Sequence, residues 1–150
     1  MKQDKTKFTQ EPYSQRIEKP WGFEILFTQK NLPFIGKIAF TKAGHRWSFQ
    51  YHDKKEENLC LIIGEAQIWL ENKEGKIEKK RMDSLRGYHV KPFQKHRLCA
   101  ITDCWTIESS IPETGETVRL EDDYNRGTET EVMRKLPERG WKKTAHEKKR

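Results

Sequence analysis

Between Trp21 and Ser109 the chain is a succession of short apolar or alternating runs, each closed within a few positions by turn residues. That punctuation predicts strands. Gly22–Thr28 and Phe34–Thr41 are the first two runs, and Lys42-Ala43-Gly44 breaks the chain after the second. Arg46–His52 alternates, with Trp47, Phe49 and Tyr51 expected on one face and Ser48, Gln50 and His52 on the other. Asn58–Ile63 ends at Gly64, and Gln67–Glu71 pairs with Ile77–Arg81 across a loop containing Gly75. Val90, Arg97–Ile101 and Trp105–Ser109 complete the series. No stretch in this region keeps a 3.6-residue apolar period over three turns. Many short strands with few helices close into a sandwich or barrel. After Glu113 apolar density drops, and Glu131–Leu136 is expected to form at most a turn or two of helix, stopped at Pro137.

A chain of 150 residues holds one domain. Charged residues make up 35% of it against 33% hydrophobic, with a net charge of +7. Residues 1–19 carry five Lys/Arg and three Asp/Glu, and residues 127–150 carry eight and four. The remainder is nearly balanced, so the excess belongs to the ends. This divides the chain into a polar N-terminal tail (1–16), a β-barrel (17–126) and a charged C-terminal tail (127–150), partly helical or disordered. Basic residues interspersed with acids, and a basic run at Lys148-Lys149-Arg150, fit a solvated tail better than a nucleic-acid surface. Cys60, Cys99 and Cys104 lack metal-finger spacing and sit in apolar runs, where buried structural thiols are expected. The lysine-rich start has no apolar core of a signal peptide, and no segment approaches the roughly 18 apolar residues of a membrane span. A cytoplasmic location is expected.

The densest pattern runs from Gly44 through Gln50, His52 and Glu57 to Gly64. Gln50 and His52, two apart on a strand, leave the same face. Glu57 follows the polar turn Asp53-Lys54-Lys55-Glu56 and can return to the same space. Imidazole nitrogen with amide and carboxylate oxygen suits a divalent first-row ion. His96, where the turn after Pro92 becomes a strand, is a second candidate. Against this stands the plainer assignment, with the aromatic residues of Arg46–His52 facing the core and Gln50 and His52 facing solvent. His45, His89 and His146 are read as surface or hydrogen-bonded histidines.

Gly44–Gly64 resembles the first cupin motif with glutamine in place of its first histidine, and Gly87–His96 resembles the second. Together with Lys19-Pro20-Trp21-Gly22-Phe23-Glu24 and Val118–Arg126, they resemble one branch, the type II mannose-6-phosphate isomerase cupin domain found fused to mannose-1-phosphate guanylyltransferase. The resemblance covers residues 17–126 and implies an all-β fold, a cupin-type jelly-roll barrel (double-stranded β-helix). It also implies metal ligands at Gln50, His52, Glu57 and His96 for a divalent transition metal: zinc, manganese, iron, cobalt or nickel. Departures from the family fall at Asp53-Lys54-Lys55, in the shorter second motif before His96, and at Ala100.

The implied reaction is an aldose–ketose isomerisation of a sugar or sugar phosphate, in which a base moves a proton between adjacent carbons. Lys55 and Arg97 are the catalytic candidates, and Lys55 would need a pKa lowered by burial to act as base. Arg97, Arg119 and Arg126 are candidates for a substrate phosphate, with a structural ion-pair cluster around Glu121, Asp122 and Asp123 as the alternative for the last two. A non-catalytic metal- or carbohydrate-binding cupin and a metal-dependent oxygenase are the competing functions. A homodimer is expected, with Trp47, Phe49 and Tyr51 as one possible face.

Overall fold

The runs read from the sequence become strands of two facing antiparallel sheets. The computed structural model describes residues 3–144. Its strands are β1 (Gln15–Lys19), β2 (Gly22–Leu26), β3 (Ile35–Thr41), β4 (Phe49–His52), β5 (Glu57–Ile63), β6 (Ala66–Glu71), β7 (Ile77–Arg81), β8 (Gly87–Val90), β9 (His96–Ala100), β10 (Cys104–Ser110) and β11 (Thr117–Glu121). One sheet runs β1-β2-β3-β10-β5-β8 and the other β11-β4-β9-β6-β7. Strand β1, with the sequence QRIEK, carries one apolar residue and no run that sequence could flag. It forms because its backbone pairs with β2 through every residue and because Ile17 and Lys19 turn inward. At the tight turn between these strands Gly22 is required: a Cβ there would lie 2.0 Å from the Phe40 carbonyl oxygen.

Alternation fails at one place that matters. Arg46 stands opposite Cys99, yet Gln50 stands opposite His96, so four steps on one strand match three on the other. The extra residue is a β-bulge, and both Trp47 and Ser48 turn inward, 9% and 2% exposed. Trp47 therefore does not share a face with Phe49 and Tyr51. It packs on Trp21 with ring centroids 5.2 Å apart, its indole N–H donates to Thr41, and it is not available as a dimer surface.

The barrel interior has two zones. Leu59, Leu61, Ile68, Leu98, Val90 and Met82 fill one end with an apolar core. Toward the other end inward positions carry charge: Lys19 of β1, Glu24 of β2, Lys37 of β3, Glu57 of β5 and Glu108 of β10. Cys104 is buried as expected, but Cys60 and Cys99 are only half-buried.

The chain after residue 126 is not a solvated tail over its described part. Thr117 and Glu129 exchange two backbone hydrogen bonds of 3.0 and 2.9 Å. A short helix, α1 (Glu131–Arg134), follows, capped by the Thr130 hydroxyl, and then a 3-10 turn over Pro137–Gly140. Residues 145–150, with His146 and the terminal basic run, lie outside the described residues. No helix among the described residues is long and apolar enough to cross a membrane.

Candidate metal centre

His52 ends β4, Glu57 begins β5 and His96 begins β9, so the two sheets deliver their ligand-bearing side chains to one point in the barrel. All three residues are buried, and one donor atom of each lies within 4.8 Å of the others. Glu57 Oε1 is 3.3 Å from His52 Nε2 and 3.2 Å from His96 Nε2. Ligands about 2.1 Å from a common ion, at tetrahedral or octahedral angles, stand about 3.0–3.4 Å apart. The spacing fits.

The donor chemistry fits as well. His96 Nδ1 is 2.9 Å from the Gln94 carbonyl, which can only accept, so Nδ1 carries the proton. In the neutral ring Nε2 is then a bare lone pair, and this buried atom has no hydrogen-bond partner. A buried lone pair facing a carboxylate oxygen calls for a cation between them. His52 Nδ1 lies 3.0 Å from the Thr117 hydroxyl, an outer partner that orients the ring in the same way. Burial pushes the His52 pKa down to about 4 although Glu57 opposes it, so the imidazole is neutral at physiological pH. Gln50, opposite His96 in the sheet, lines the same cavity, with its amide oxygen accepting from the Ser48 hydroxyl at 2.5 Å. The face assignment that put Gln50 and His52 toward solvent is thereby overturned.

Two of the residues read from the sequence as catalytic have other work. Lys55 enters the interior, where Nζ lies 2.5 Å from Glu57 Oε2, 2.6 Å from Glu108 Oε1 and 3.9 Å from Glu113 Oε1. Burial works against its charge, but Glu108, Glu57 and Glu113 together outweigh burial and hold its pKa above the usual lysine range. It keeps its proton and is no base. Glu57 in turn is held well below the carboxylate range by Lys55, against the effect of burial. Arg97, adjacent to His96 on β9, points to the opposite face of the strand. Its guanidinium donates to the Trp47 carbonyl freed by the bulge (2.8 Å) and to Glu121, beneath the Phe49 and Trp69 rings. Its donors are spent on the fold, and it does not line the cavity.

Arg119 and Arg126 do line it. Arg126 is clamped by Asp122, as the ion-pair alternative has it, whereas Arg119 reaches the Gly127 carbonyl and Glu129, outside that cluster. One donor is spare: Arg119 Nε is buried without a partner. Sequence reading missed Lys19, Glu24, Lys37, Glu108, Glu113, Glu129 and Arg139, which complete the wall. A signal existed for Lys37 and Glu108: each is the one charge in its strand, at an inward position. Burial raises the Glu108 carboxyl pKa, with Lys55 opposing. The cavity is small, ≈ 50 Å³, and holds six basic and five acidic side chains. His45 stacks on Tyr124 and exposed His89 pairs with Glu56, both away from the site.

No family model matches the chain, and no curated protein matches it in sequence. Solved structures do match in shape. Oxalate decarboxylase from Bacillus subtilis superposes with a TM-score of 0.62 at 16% identity, covering 71% of this chain and 30% of that one. A second structure of that enzyme, which concerns its Mn(II) centres, gives a TM-score of 0.58 at 14% identity over 66% of this chain and 27% of that one. The capsular polysaccharide assembling protein CapF from Staphylococcus aureus gives a TM-score of 0.59 at 16% identity over 77% and 33%. This chain thus spans a third or less of these proteins. At such identities the likeness is one of architecture: the chain folds as a cupin-type jelly-roll barrel.

Proposed function

We propose that this protein is a metal-dependent cupin acting on an anionic carbohydrate, with a sugar phosphate as substrate and aldose–ketose isomerisation as the reaction. The observation that carries it is the buried, unpartnered His96 Nε2 beside Glu57, which with His52 lines a cavity whose basic side chains outnumber its acidic ones. His52, Glu57 and His96 would hold the ion, with Gln50 as a fourth ligand once its amide turns from Ser48. A bound divalent ion supplies a Lewis acid for the carbonyl and neighbouring hydroxyl oxygens. Manganese, named for one structural neighbour, and zinc, iron, cobalt or nickel all suit such a set.

The chain's own groups supply the rest. Arg119 offers its spare Nε–H to a substrate anion, and Arg126 adds positive charge beside it. Glu108, whose carboxyl burial makes easier to protonate against the opposing charge of Lys55, is the candidate group for proton transfer, and Ser110 and Lys55 keep it in place. A second reading, a non-catalytic metal or carbohydrate binder, is favoured by the engagement of Lys55 and by the small cavity. A homodimer remains part of the proposal. The half-buried Phe23, Phe40 and Trp105, packed 5.1–5.6 Å apart on the outer face of the larger sheet, are the surface a second copy would cover. A monomer mass by light scattering at tens of micromolar would remove it.

The test is elemental analysis of untagged protein beside His52→Ala after dialysis without chelator, followed by turnover of mannose 6-phosphate to fructose 6-phosphate. Near-stoichiometric metal lost in the variant, with turnover, supports the isomerase. Metal without turnover leaves the binder, and oxygen uptake with substrate would indicate an oxygenase. No metal in either protein, even after adding divalent ions, sinks the metal reading.

A further inference from the structure

Two spaces meet at one ion pair. The first is the metal-side cavity of ≈ 50 Å³. The second is a groove of ≈ 660 Å³ between the β1–β3 edge and the C-terminal segment, floored by Ile17, Leu26 and Ile35. Glu113 and Arg139 line both, so their side chains are the partition. Arg139 Nη2 lies 2.6 Å from Glu113 Oε2, and Nη1 lies 3.0 Å from Glu129 Oε1.

The segment that carries Arg139 is attached in an unusual way. No residue of α1 or of the 3-10 turn is buried, so polar contacts rather than core packing hold it down. Glu138 (φ 48°, ψ 27°) and Arg139 (φ 52°, ψ 40°) both occupy the left-handed region, followed by Gly140 at φ 79°. A left-handed residue with a side chain brings its Cβ too close to the carbonyl oxygen that follows, and the backbone is strained there. The cost is met locally by the Arg139 ion pairs and by the Glu138 carboxylate, which accepts from the Glu18 N–H. A segment with little apolar contact and a strained backbone belongs to the easily opened part of a structure.

We infer that residues 130–140 are a lid, that Arg139 is its latch, and that release of the Arg139–Glu113 pair joins cavity and groove into one substrate site. The inference rests on the metal-site reading for its functional meaning and supplies what that reading lacks. A cavity of ≈ 50 Å³ admits an ion and a few waters, whereas ligand pockets usually measure about 300–1,000 Å³. The joined space falls within that range. It accepts a substrate whose reacting end and anion sit at the metal and Arg119 and whose remaining body lies in the groove, beside Lys30 and Lys135. That describes a sugar phosphate, and not a two-carbon acid that would fit the closed cavity.

The experiment is hydrogen exchange by mass spectrometry on the full chain, with zinc transfer from the zinc-loaded protein to a chromophoric chelator measured alongside. Wild type is compared with Arg139→Ala and with Glu138→Ala, which removes the tether to Glu18 without orphaning the buried Glu113 and Glu129. In both variants the amides of 134–141 should exchange at least tenfold faster while those of β3, β9 and β10 are unchanged, and zinc transfer should accelerate at least tenfold. Exchange of lid and barrel at one common rate, or zinc transfer indifferent to both substitutions, would overturn the lid. If no zinc loads, the metal reading has failed, and the exchange pattern alone still decides whether the segment opens independently.

Discussion

Lys55→Met takes one charge out of the middle of the charged layer and leaves a side chain of similar length in its place. The ammonium it removes lies 2.5 Å from Glu57 and 2.6 Å from Glu108, with its side chain 7% exposed. Breaking a buried ion pair by removing one partner costs about 3–5 kcal/mol. Because two carboxylates lose their nearest cation here, the upper part of that range, about 4–5 kcal/mol, is expected. At about 2–4 °C per kcal/mol for a chain of this size, the melting temperature of metal-free protein at neutral pH should fall by about 8–20 °C. Acid should narrow the gap. Without Lys55, Glu108 is the first carboxyl to take up a proton, since burial already raises its pKa, and the orphaned charge then disappears. Wild type moves the opposite way. Lys37 and Arg139 hold Glu113 well below its ordinary 4.5, so as pH falls through that value the unfolded chain binds more protons and native stability is lost. Calorimetry of both proteins from neutral pH down to about 4 reads the two curves and their convergence. A variant within about 1 kcal/mol of wild type at neutral pH, or a deficit independent of pH, would refute the claim that Lys55 is a structural counter-ion.

Three further outcomes follow from particular contacts. Arg97→Lys cannot reproduce the fork that serves the Trp47 carbonyl and Glu121, so it should cost about 2–3 kcal/mol in urea unfolding while shifting metal affinity less than about threefold; a large loss of metal with unchanged stability would return Arg97 to the site. Gly22→Ala places a Cβ 2.0 Å from a backbone oxygen, and a loss of about 2–3 kcal/mol is expected where backbone must move; a neutral result would show the turn to be pliable. Burial pushes the Cys104 thiol up to about 11, so in native protein a thiol reagent at neutral pH should modify Cys60 and Cys99 first, with Cys104 reacting only on unfolding, as peptide mapping would reveal.

Much of the architecture is local and was legible in the chain. Turn residues and apolar runs mark β2, β3, β5, β6, β7, β9 and β10, because side-chain alternation and turn chemistry act over a few residues. Spacing around one polar turn likewise grouped Gln50, His52 and Glu57, and the resemblance to the cupin motifs added His96 to them. Other features depend on partners far away in the chain. The bulge at Trp47–Ser48 exists only as a mismatch of register with β9, so alternation within the strand misassigned Trp47 and the dimer face built on it. The polar turn that holds Lys55 resembles any solvated turn until Glu108 and Glu113 arrive from 53 and 58 residues away. Arg97 is one residue from a metal candidate, but strand geometry sends it to the other face, where the bulge carbonyl waits. The segment after 126 has the composition of a tail, and Glu129, 4% exposed, is drawn inward by Arg119, Arg134 and Arg139. Short-range patterning determined most of the strands and the polar turn around which Gln50, His52 and Glu57 lie. Which charges are buried, what they neutralise and what closes the cavity were decided by the tertiary structure, because long-range electrostatics in a low-dielectric interior depends on who meets whom.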